Sequence, residues 1–216
     1  MNADTPEAHE LMGWWRQKGC SMPRQHISVS GGGGTGGREY PRIHFSDIEE
    51  RAMGMNGTPE YFSVSCFVTH IKTDKNLWYI ACPVCKKKLQ SANETNLEGH
   101  CEKCDKSVMG TRRWIFSGQC NDVTGSRYIN FFDDTAVKLL DSKSADELAP
   151  LKEENPVAFD GHFRRHSFQR VMMKCQVRSD NYNDEQRLKV SCQAFAPLNT
   201  VEEGTRLLQE IRTMSF

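Results

Sequence analysis

The sequence predicts a mainly β fold, a five-stranded OB-fold barrel with an inserted four-cysteine zinc ribbon, flanking helices and a C-terminal amphipathic helix. From residue 40 the expected order is strand, cysteine-rich insert, strand, strand, helix, strand, strand, helix, and without the insert this is the OB order. Each expected strand also alternates apolar and polar residues, which favours a barrel over a doubly wound α/β sheet. Another α+β domain with the same element order is the alternative.

Composition restricts the class of protein. The 216 residues allow one ordinary domain with an appendage or two small domains, and 38% hydrophobic with 26% charged residues fits a globular core. The 28 Lys and Arg balance the 28 Asp and Glu, so the total charge does not indicate a nucleic-acid partner. No apolar run approaches the ~20 residues of a membrane span, so no membrane partner is expected, and the acidic N-terminus is not a secretory signal. Nine cysteines, an odd number, favour a reducing compartment over a disulfide framework.

The N-terminal region is predicted to be separate from the barrel. Residues 4–18 have apolar residues at helical spacing, with Asp4 as a cap and Gly19 as a stop. A Gly-rich linker over residues 30–39 follows. Because one Trp-rich helix is not stable alone, residues 1–29 are either the end of a larger unit or a helix that docks on the main body.

The barrel is expected over residues 40–198. Helical spacing is predicted over 133–151, in one or two pieces, with a capping box formed by Ser144 and Glu147. Residues 179–186 are expected to form a loop between two strands. Strands are predicted over residues 63–72, 77–81, 112–120, 127–132, 169–177 and 187–194.

The C-terminal segment, residues 199–216, is predicted to hold a helix that begins at a capping box of Thr200 and Glu203. Its apolar stripe is expected to pack against another surface, either that of a partner protein or that of the barrel itself. The stripe consists of Leu207, Leu208, Ile211 and Met214.

Four cysteines have the spacing of a metal site. Cys82, Cys85, Cys101 and Cys104 form two C-x2-C pairs that are separated by fifteen residues. Two intervening residues let a tight turn aim both sulfurs at one ion, and four thiolates leave no open position, so the pattern predicts one structural Zn2+. The alternatives are four unrelated buried thiols, a redox pair, or His100 in place of one sulfur. The other cysteines are expected to be small buried hydrophobes.

One strand indicates a nucleic-acid surface. OB barrels bind oligonucleotides on the face of strands 2 and 3 and through the loops after strands 1 and 4. In the third expected strand Ile129 and Phe131 alternate with Tyr128 and Phe132, so the second pair stands on the outer face if the first pair is core. Exposed rings there would stack unpaired bases, and Tyr182 in the last loop is a third candidate. The alternative is that Tyr128 or Phe132 packs under the ribbon or a helix.

The neutral total hides an uneven charge distribution. Residues 82–127 carry 8 Lys/Arg and 5 Asp/Glu, residues 162–189 carry 7 and 3, and residues 133–160 carry 3 and 8. Basic side chains in the first two segments are therefore candidates for phosphate contacts, with a solvated surface as the alternative. The candidates are Lys86, Lys87, Lys88, Arg112, Arg113, Arg127, Lys174 and Arg178.

Several segments together resemble a known family. WYIACP at 78–83, CEKCD at 101–105, RYINFF at 127–132 and YNDEQR at 182–187 are similar to the C-terminal OB domain of the large subunit of replication protein A. That protein is the eukaryotic heterotrimer that binds single-stranded DNA. The resemblance runs from about residue 40 to the C-terminus. LMGWW at 11–15 and the Gly-rich stretch resemble the last helix and the linker of the preceding OB domain, so the chain would be a fragment or a truncated form.

The resemblance implies a function in DNA replication, repair and recombination in the nucleus. It implies zinc at the four cysteines, single-stranded DNA stacked on Tyr128, Phe132 and Tyr182, and a C-terminal helix bundled with the middle and small subunits. Two features depart from the family. The first pair is CPVC, where some members have a longer spacer, and Arg112 and Arg113 stand where some relatives have an aromatic residue.

Two other functions are open. A paralogue that serves telomeres or telomerase would share the fold and the zinc but prefer G-rich repeats. An assembly scaffold would keep the C-terminal helix and have a vestigial DNA face. An enzyme is not expected, because the sequence has no catalytic triad, no paired-carboxylate motif and no open metal site, and the Gly run at 31–37 lacks the rest of a phosphate-binding loop.

Overall fold

The computed structural model of the chain describes residues 5–17, 40–73, 76–182 and 185–214. The chain forms two compact units, Met1–Gly36 and Gly37–Phe216. The first contains one described helix, α1 (Pro6–Gln17), within the range predicted for it. Asp4, Gly19 and the predicted linker lie outside the described residues. None of the described helices has the length and apolar character needed to cross a bilayer.

The second unit contains eight strands and the remaining helices. The strands are β1 (Glu60–Ile71), β2 (Trp78–Ala81), β3 (Glu98–Cys101), β4 (Lys106–Met109), β5 (Thr111–Asn121), β6 (Ser126–Phe132), β7 (Arg170–Tyr182) and β8 (Glu185–Pro197). The helices are α2 (Phe45–Glu50), α3 (Asp133–Leu139), α4 (Ala145–Glu154), α5 (Pro156–Arg164) and α6 (Thr200–Thr213).

Five of these strands close into the predicted barrel. β1 pairs with both β7 and β5, so the order β1-β7-β8-β6-β5 returns to β1. The pairing of β6 with β8 is parallel and the other pairings are antiparallel. β1, β5, β6, β7 and β8 are therefore OB strands 1 to 5, with α3 to α5 between strands 3 and 4, and the predicted fold class is confirmed. β2 pairs with the first half of β5, and β3 and β4 form a hairpin within the ribbon.

The alternating pattern identified the barrel interior. Ile129 and Phe131 of β6 are buried, as predicted. The alternating apolar residues of β1, β5 and β7 are buried as well: Val64, Cys66, Val68, Trp114, Phe116, Cys120, Val171, Met173, Cys175 and Val177. The helix α5 closes one end, because its Phe159 packs edge to face on Trp78 and its Phe163 packs edge to face on Trp114. Four isolated cysteines are buried in this core, as expected: Cys66, Cys120, Cys175 and Cys192.

The two predicted capping boxes had different outcomes. Ser144 Oγ accepts from Glu147 N–H at 3.2 Å, and Glu147 Oε2 accepts from Ser144 N–H at 2.7 Å, so the box at α4 is confirmed. The box at Thr200 is wrong. Asn199 caps α6 instead, and its Oδ1 accepts from the N–H groups of Val201 and Glu202. The side chain of Asn199, one residue earlier, accepts from the unpaired N–H groups of the first helical turn. Glu203 is therefore not needed for capping and can make other contacts.

The expected loop at residues 179–186 is also wrong. β7 runs to Tyr182 and β8 begins at Glu185, with Ser179 opposite Leu188 and Tyr182 opposite Glu185, so strand pairing occupies both sides of the expected loop. Residues 183 and 184 lie outside the described residues. No apolar alternation marks this segment in the sequence.

Candidate nucleic-acid interface and metal centre

The four predicted cysteines come together at one point of the ribbon. In this cysteine cluster (Cys82, Cys85, Cys101 and Cys104) all four sulfurs lie within 4.8 Å of one another. Cys82 Sγ and Cys104 Sγ are 3.9 Å apart, and Cys85 Sγ and Cys101 Sγ are 3.3 Å apart. These distances exceed the ~2.05 Å of a disulfide. Four sulfurs at ~2.3 Å from one zinc ion would be ~3.8 Å apart, so the arrangement fits a tetrahedral thiolate site.

Two similar turns aim these sulfurs. The residue after each second cysteine, Lys86 at φ 64° and Asp105 at φ 49°, has a left-handed backbone that reverses the chain. In the first turn Cys82 N–H donates to Lys87 O at 2.8 Å, and Lys86 N–H donates to Cys82 O at 2.9 Å. The N–H groups of Cys85 and Val84 lower the pKa of Cys82 to about 7, so its thiolate forms easily. The ribbon therefore holds its sulfurs through its own backbone.

His100 does not join the cluster. Its Nε2 lies 3.6 Å from Asp105 Oδ1, and its side chain is about half exposed. Within the described part of the chain the group of potential metal ligands contains the four cysteines alone. The alternative with His100 in place of one sulfur is not supported.

The outer surface of β5 and β6 carries the predicted aromatic pair. Ile115, Ser117 and Gln119 of β5 lie opposite Phe132, Asn130 and Tyr128 of β6, and we call these six residues the binding face. Tyr128 is 50% exposed and Phe132 is 41% exposed, whereas Ile129 and Phe131 are fully buried. The alternative that either ring is covered is therefore wrong.

A groove of about 310 Å³ runs along the binding face. Lys72, which follows β1, lies over it, with Nζ 4.9 Å from the centre of the Tyr128 ring. Sequence reasoning missed this residue, although a lysine that directly follows OB strand 1 was a usable signal. Its ammonium group brings positive charge to the stacking surface. The groove is lined by Lys72, Asn76, Leu77, Ile115, Phe116, Ser117, Tyr128 and Asn130.

Three of the predicted phosphate-binding arginines are paired with carboxylates. Arg112 contacts Asp146 at 3.2 Å, Arg113 contacts Asp133 at 3.1 Å, and Arg127 contacts Glu49 at 2.5 Å. Two carboxylates of the acidic segment 133–160 thus neutralise Arg112 and Arg113 of the basic segment 82–127. These arginines attach helices to the barrel, and phosphate contacts by them stay a prediction.

The other basic candidates are dispersed. Lys86, Lys87 and Lys88 are exposed on the ribbon, and Lys87 contacts Glu102 at 3.3 Å. Lys174 and Arg178 lie on β7, which β1 separates from β5. The structure therefore does not gather them at the binding face.

Tyr182 is the last residue of β7, paired with Glu185 at the end of the hairpin. Its side chain lies outside the described part of the structure, so its role in stacking stays a prediction.

The predicted stripe on α6 is exposed along its length. The exposed fractions are 41% for Leu207, 57% for Leu208, 53% for Ile211 and 62% for Met214. The alternative that this stripe packs on the barrel is wrong. Earlier in the same helix Glu203 is buried and contacts Arg42 at 2.8 Å, which fixes the start of α6 to the barrel.

Comparisons with known proteins agree with this architecture. The family model described as the replication factor-A C-terminal domain matches residues 61–207. The 70 kDa DNA-binding subunit of replication protein A from Danio rerio is 31% identical over 219 residues, which cover 100% of this chain and 35% of that protein. Replication factor A protein 1 from Schizosaccharomyces pombe is 30% identical over 217 residues, with 99% and 35% covered. The chain thus spans about a third of the length of these curated relatives.

Two solved structures are similar as well. A chain of a replication protein A heterotrimer bound to single-stranded DNA superposes with a TM-score of 0.71 at 31% identity, covering 98% of this chain and 48% of that chain. A chain of yeast replication protein A bound to single-stranded DNA gives a TM-score of 0.66 at 28% identity, with 81% and 98% covered.

Proposed function

This chain belongs to the replication factor-A C-terminal domain family, and from that premise we propose that it binds single-stranded DNA on the binding face. The observation that carries the proposal is the pair of half-exposed rings, Tyr128 and Phe132, beside a groove that Lys72 overhangs. Flat rings stack on every base, so the binding has little sequence preference. The ammonium of Lys72 attracts the phosphate backbone.

The stacking contribution can be measured by alanine substitution. Each base stacked on an aromatic ring contributes ~1–3 kcal/mol, so Tyr128→Ala or Phe132→Ala should weaken binding by about 5- to 150-fold. The assay is the anisotropy of a labelled dT strand of ~30 nucleotides, compared with a duplex of the same length over a range of salt. Val157→Ala, which trims an exposed apolar side chain on α5, serves as the control. Unchanged affinity of both aromatic variants would refute the proposal, and strong preference for G-rich repeats would favour a telomeric role.

We propose further that the cysteine cluster holds one structural Zn2+. The support is the fit of the four sulfurs to a tetrahedron and the paired turns that aim them. When bound, the ion would cross-link the ribbon and would not take part in a reaction, because four thiolates leave it no open coordination position. β2, which leads into the ribbon, pairs with residues 111–114 of β5, and Leu77 directly before β2 lines the groove, so a bound ion would stiffen the chain next to one wall of the groove.

The exposed stripe on α6 supports a second role, in assembly. The start of α6 is fixed to the barrel at Glu203, whereas the apolar side chains of Leu208 and Ile211 are exposed to solvent. Such a helix is suited to a bundle with helices of other subunits. We propose the middle and small subunits of a replication protein A heterotrimer as those partners. The protein would then act without catalysis in DNA replication, repair and recombination in the nucleus.

A further inference from the structure

A second group of exposed aromatic and basic residues lies beside the binding face. Phe67 on β1 is 37% exposed, and Phe168, in the turn between α5 and β7, is 73% exposed. Phe168 N–H donates to Val68 O at 2.7 Å, which places Phe168 next to Phe67. Arg170 lies over the Phe67 ring, and two more exposed arginines, Arg164 and Arg165, precede Phe168 in the chain. We call the group the α5–β7 patch, and it consists of Phe67, Arg164, Arg165, Phe168 and Arg170.

The arginines of this patch keep their charge available. No ion pair joins any of the three to a carboxylate within the residues that the structure describes, in contrast to Arg112, Arg113 and Arg127. The Arg170 guanidinium lies 5.7 Å from the centre of the Phe67 ring, its Nε donates to Ser65 Oγ at 3.1 Å, and its charge contributes to the lowered pKa of Glu203 without forming an ion pair with it. One carboxylate, Asp160, shares a cavity of about 70 Å³ with Arg164. The patch as a whole is cationic and complementary to phosphate.

The backbone of Phe168 argues for a role outside the fold. Its φ is 66°, a left-handed conformation that a bulky side chain adopts at a cost and that Asn or Gly adopts readily. A ring that is 73% exposed gains little from burial. Neither the local conformation nor the core therefore explains a phenylalanine at this position.

The patch is continuous with the binding face. Phe67 lies opposite Asn121 of β5, and Asn121 lies opposite Ser126 of β6, so two strand spacings, about 10 Å, separate Phe67 from β6, where Tyr128 lies two residues along from Ser126. Lys72, further along β1, already lies over Tyr128. We propose that single-stranded DNA continues from Tyr128 across β1 onto the α5–β7 patch, where Phe67 and Phe168 stack bases and the arginines hold phosphates. This inference rests on the proposed function of the binding face.

Oligonucleotide length separates the two surfaces. The test uses the full 216-residue chain with dT strands of ~4 and ~12 nucleotides, a short and a long strand within the ~4–16 nucleotides that one OB barrel can bind. Phe168→Asn should weaken binding of the longer strand by about 5-fold or more and leave the shorter strand unaffected. Because Asn suits the left-handed backbone, this variant should have a urea midpoint equal to or above that of the parent protein.

Salt dependence provides a second, independent measurement. Replacing both Arg164 and Arg165 by Gln should reduce the slope of log affinity against log salt by about 1.4 for the longer strand alone, at ~0.7 per lost phosphate contact. Lys138→Gln removes an exposed charge from α3 and should leave the slope unchanged. If Phe168→Asn and the arginine variant bind the longer strand like the parent while Tyr128→Ala does not, the patch belongs to another partner and the inference is overturned. If Tyr128→Ala and Phe132→Ala also have no effect, the proposed function itself fails.

Discussion

The charge of Glu203 should determine how firmly α6 is attached to the barrel. Its side chain is buried, with Oε1 accepting from Arg42 at 2.8 Å and from Arg206 at 2.9 Å. The hydrogen bonds from Arg206 are the main reason that the pKa of Glu203 lies below its ordinary value of 4.5, against the opposing effect of burial. Glu203→Gln keeps the shape and removes the charge. Hydrogen bonds to charged groups contribute ~1.5–3 kcal/mol each, and an amide oxygen can retain one, so we expect a loss of about 2 kcal/mol.

Urea and thermal unfolding test this expectation. A loss of about 2 kcal/mol should lower the melting temperature of a domain of this size by roughly 4–8 °C at pH 7. Because the folded-state pKa is depressed, the stabilisation is present above pH 4.5 and disappears as the pH falls through the folded-state value, so the two proteins should converge in acid. Glu202→Gln changes the exposed neighbour and should have only a few tenths of a kcal/mol of effect. Equal stability at pH 7, or a difference that persists in acid, would refute the reasoning.

Three further results are expected. A zinc chelator should speed hydrogen exchange within residues 82–104 and weaken DNA binding while the barrel stays folded, and unchanged binding after chelation would disprove the coupling between ribbon and groove. Arg113→Gln should cost about 1 kcal/mol of unfolding free energy, because it loses contacts with Asp133 and Asp134, and should change DNA affinity little. A large loss of affinity with unchanged stability would assign Arg113 to phosphate instead. Leu208→Asp combined with Ile211→Asp should abolish co-elution with the middle and small subunits on size exclusion without altering the urea midpoint, and normal assembly would contradict the role of α6.

The features that depend on local periodicity could be predicted from the sequence. Alternation along β6 identified Ile129 and Phe131 as core and Tyr128 and Phe132 as exposed, because a strand turns every second side chain to the same side. The spacing of the cysteine cluster was equally informative, since two residues between ligands fit one tight turn. In both cases the residues that form the sequence pattern lie near one another along the chain and are also the residues that form the structural feature.

The features that depend on distant residues could not be predicted. Arg112 meets Asp146, which is 34 residues away, so counting charges by segment could not show that this side chain contacts α4. The strain at Phe168 is a property of the turn that follows α5 and leaves no mark in the pattern. Thr200 and Asn199 are both good caps by residue type, so the sequence does not decide between them, and the structure shows Asn199 as the cap.

The long hairpin extends beyond its support in the sheet. β1 backs β7 only from Arg170 to Val177, and β8 meets β6 only at Val190 and Ser191, so no other described strand flanks the arms from Arg178 onward. A free two-stranded arm has little stability of its own and can tilt at its base, where Ser179 N–H donates to Gly54 O at 2.9 Å. The outer part of the hairpin can therefore change its angle without disturbing the barrel interior, because its strands pair there only with each other among the described strands.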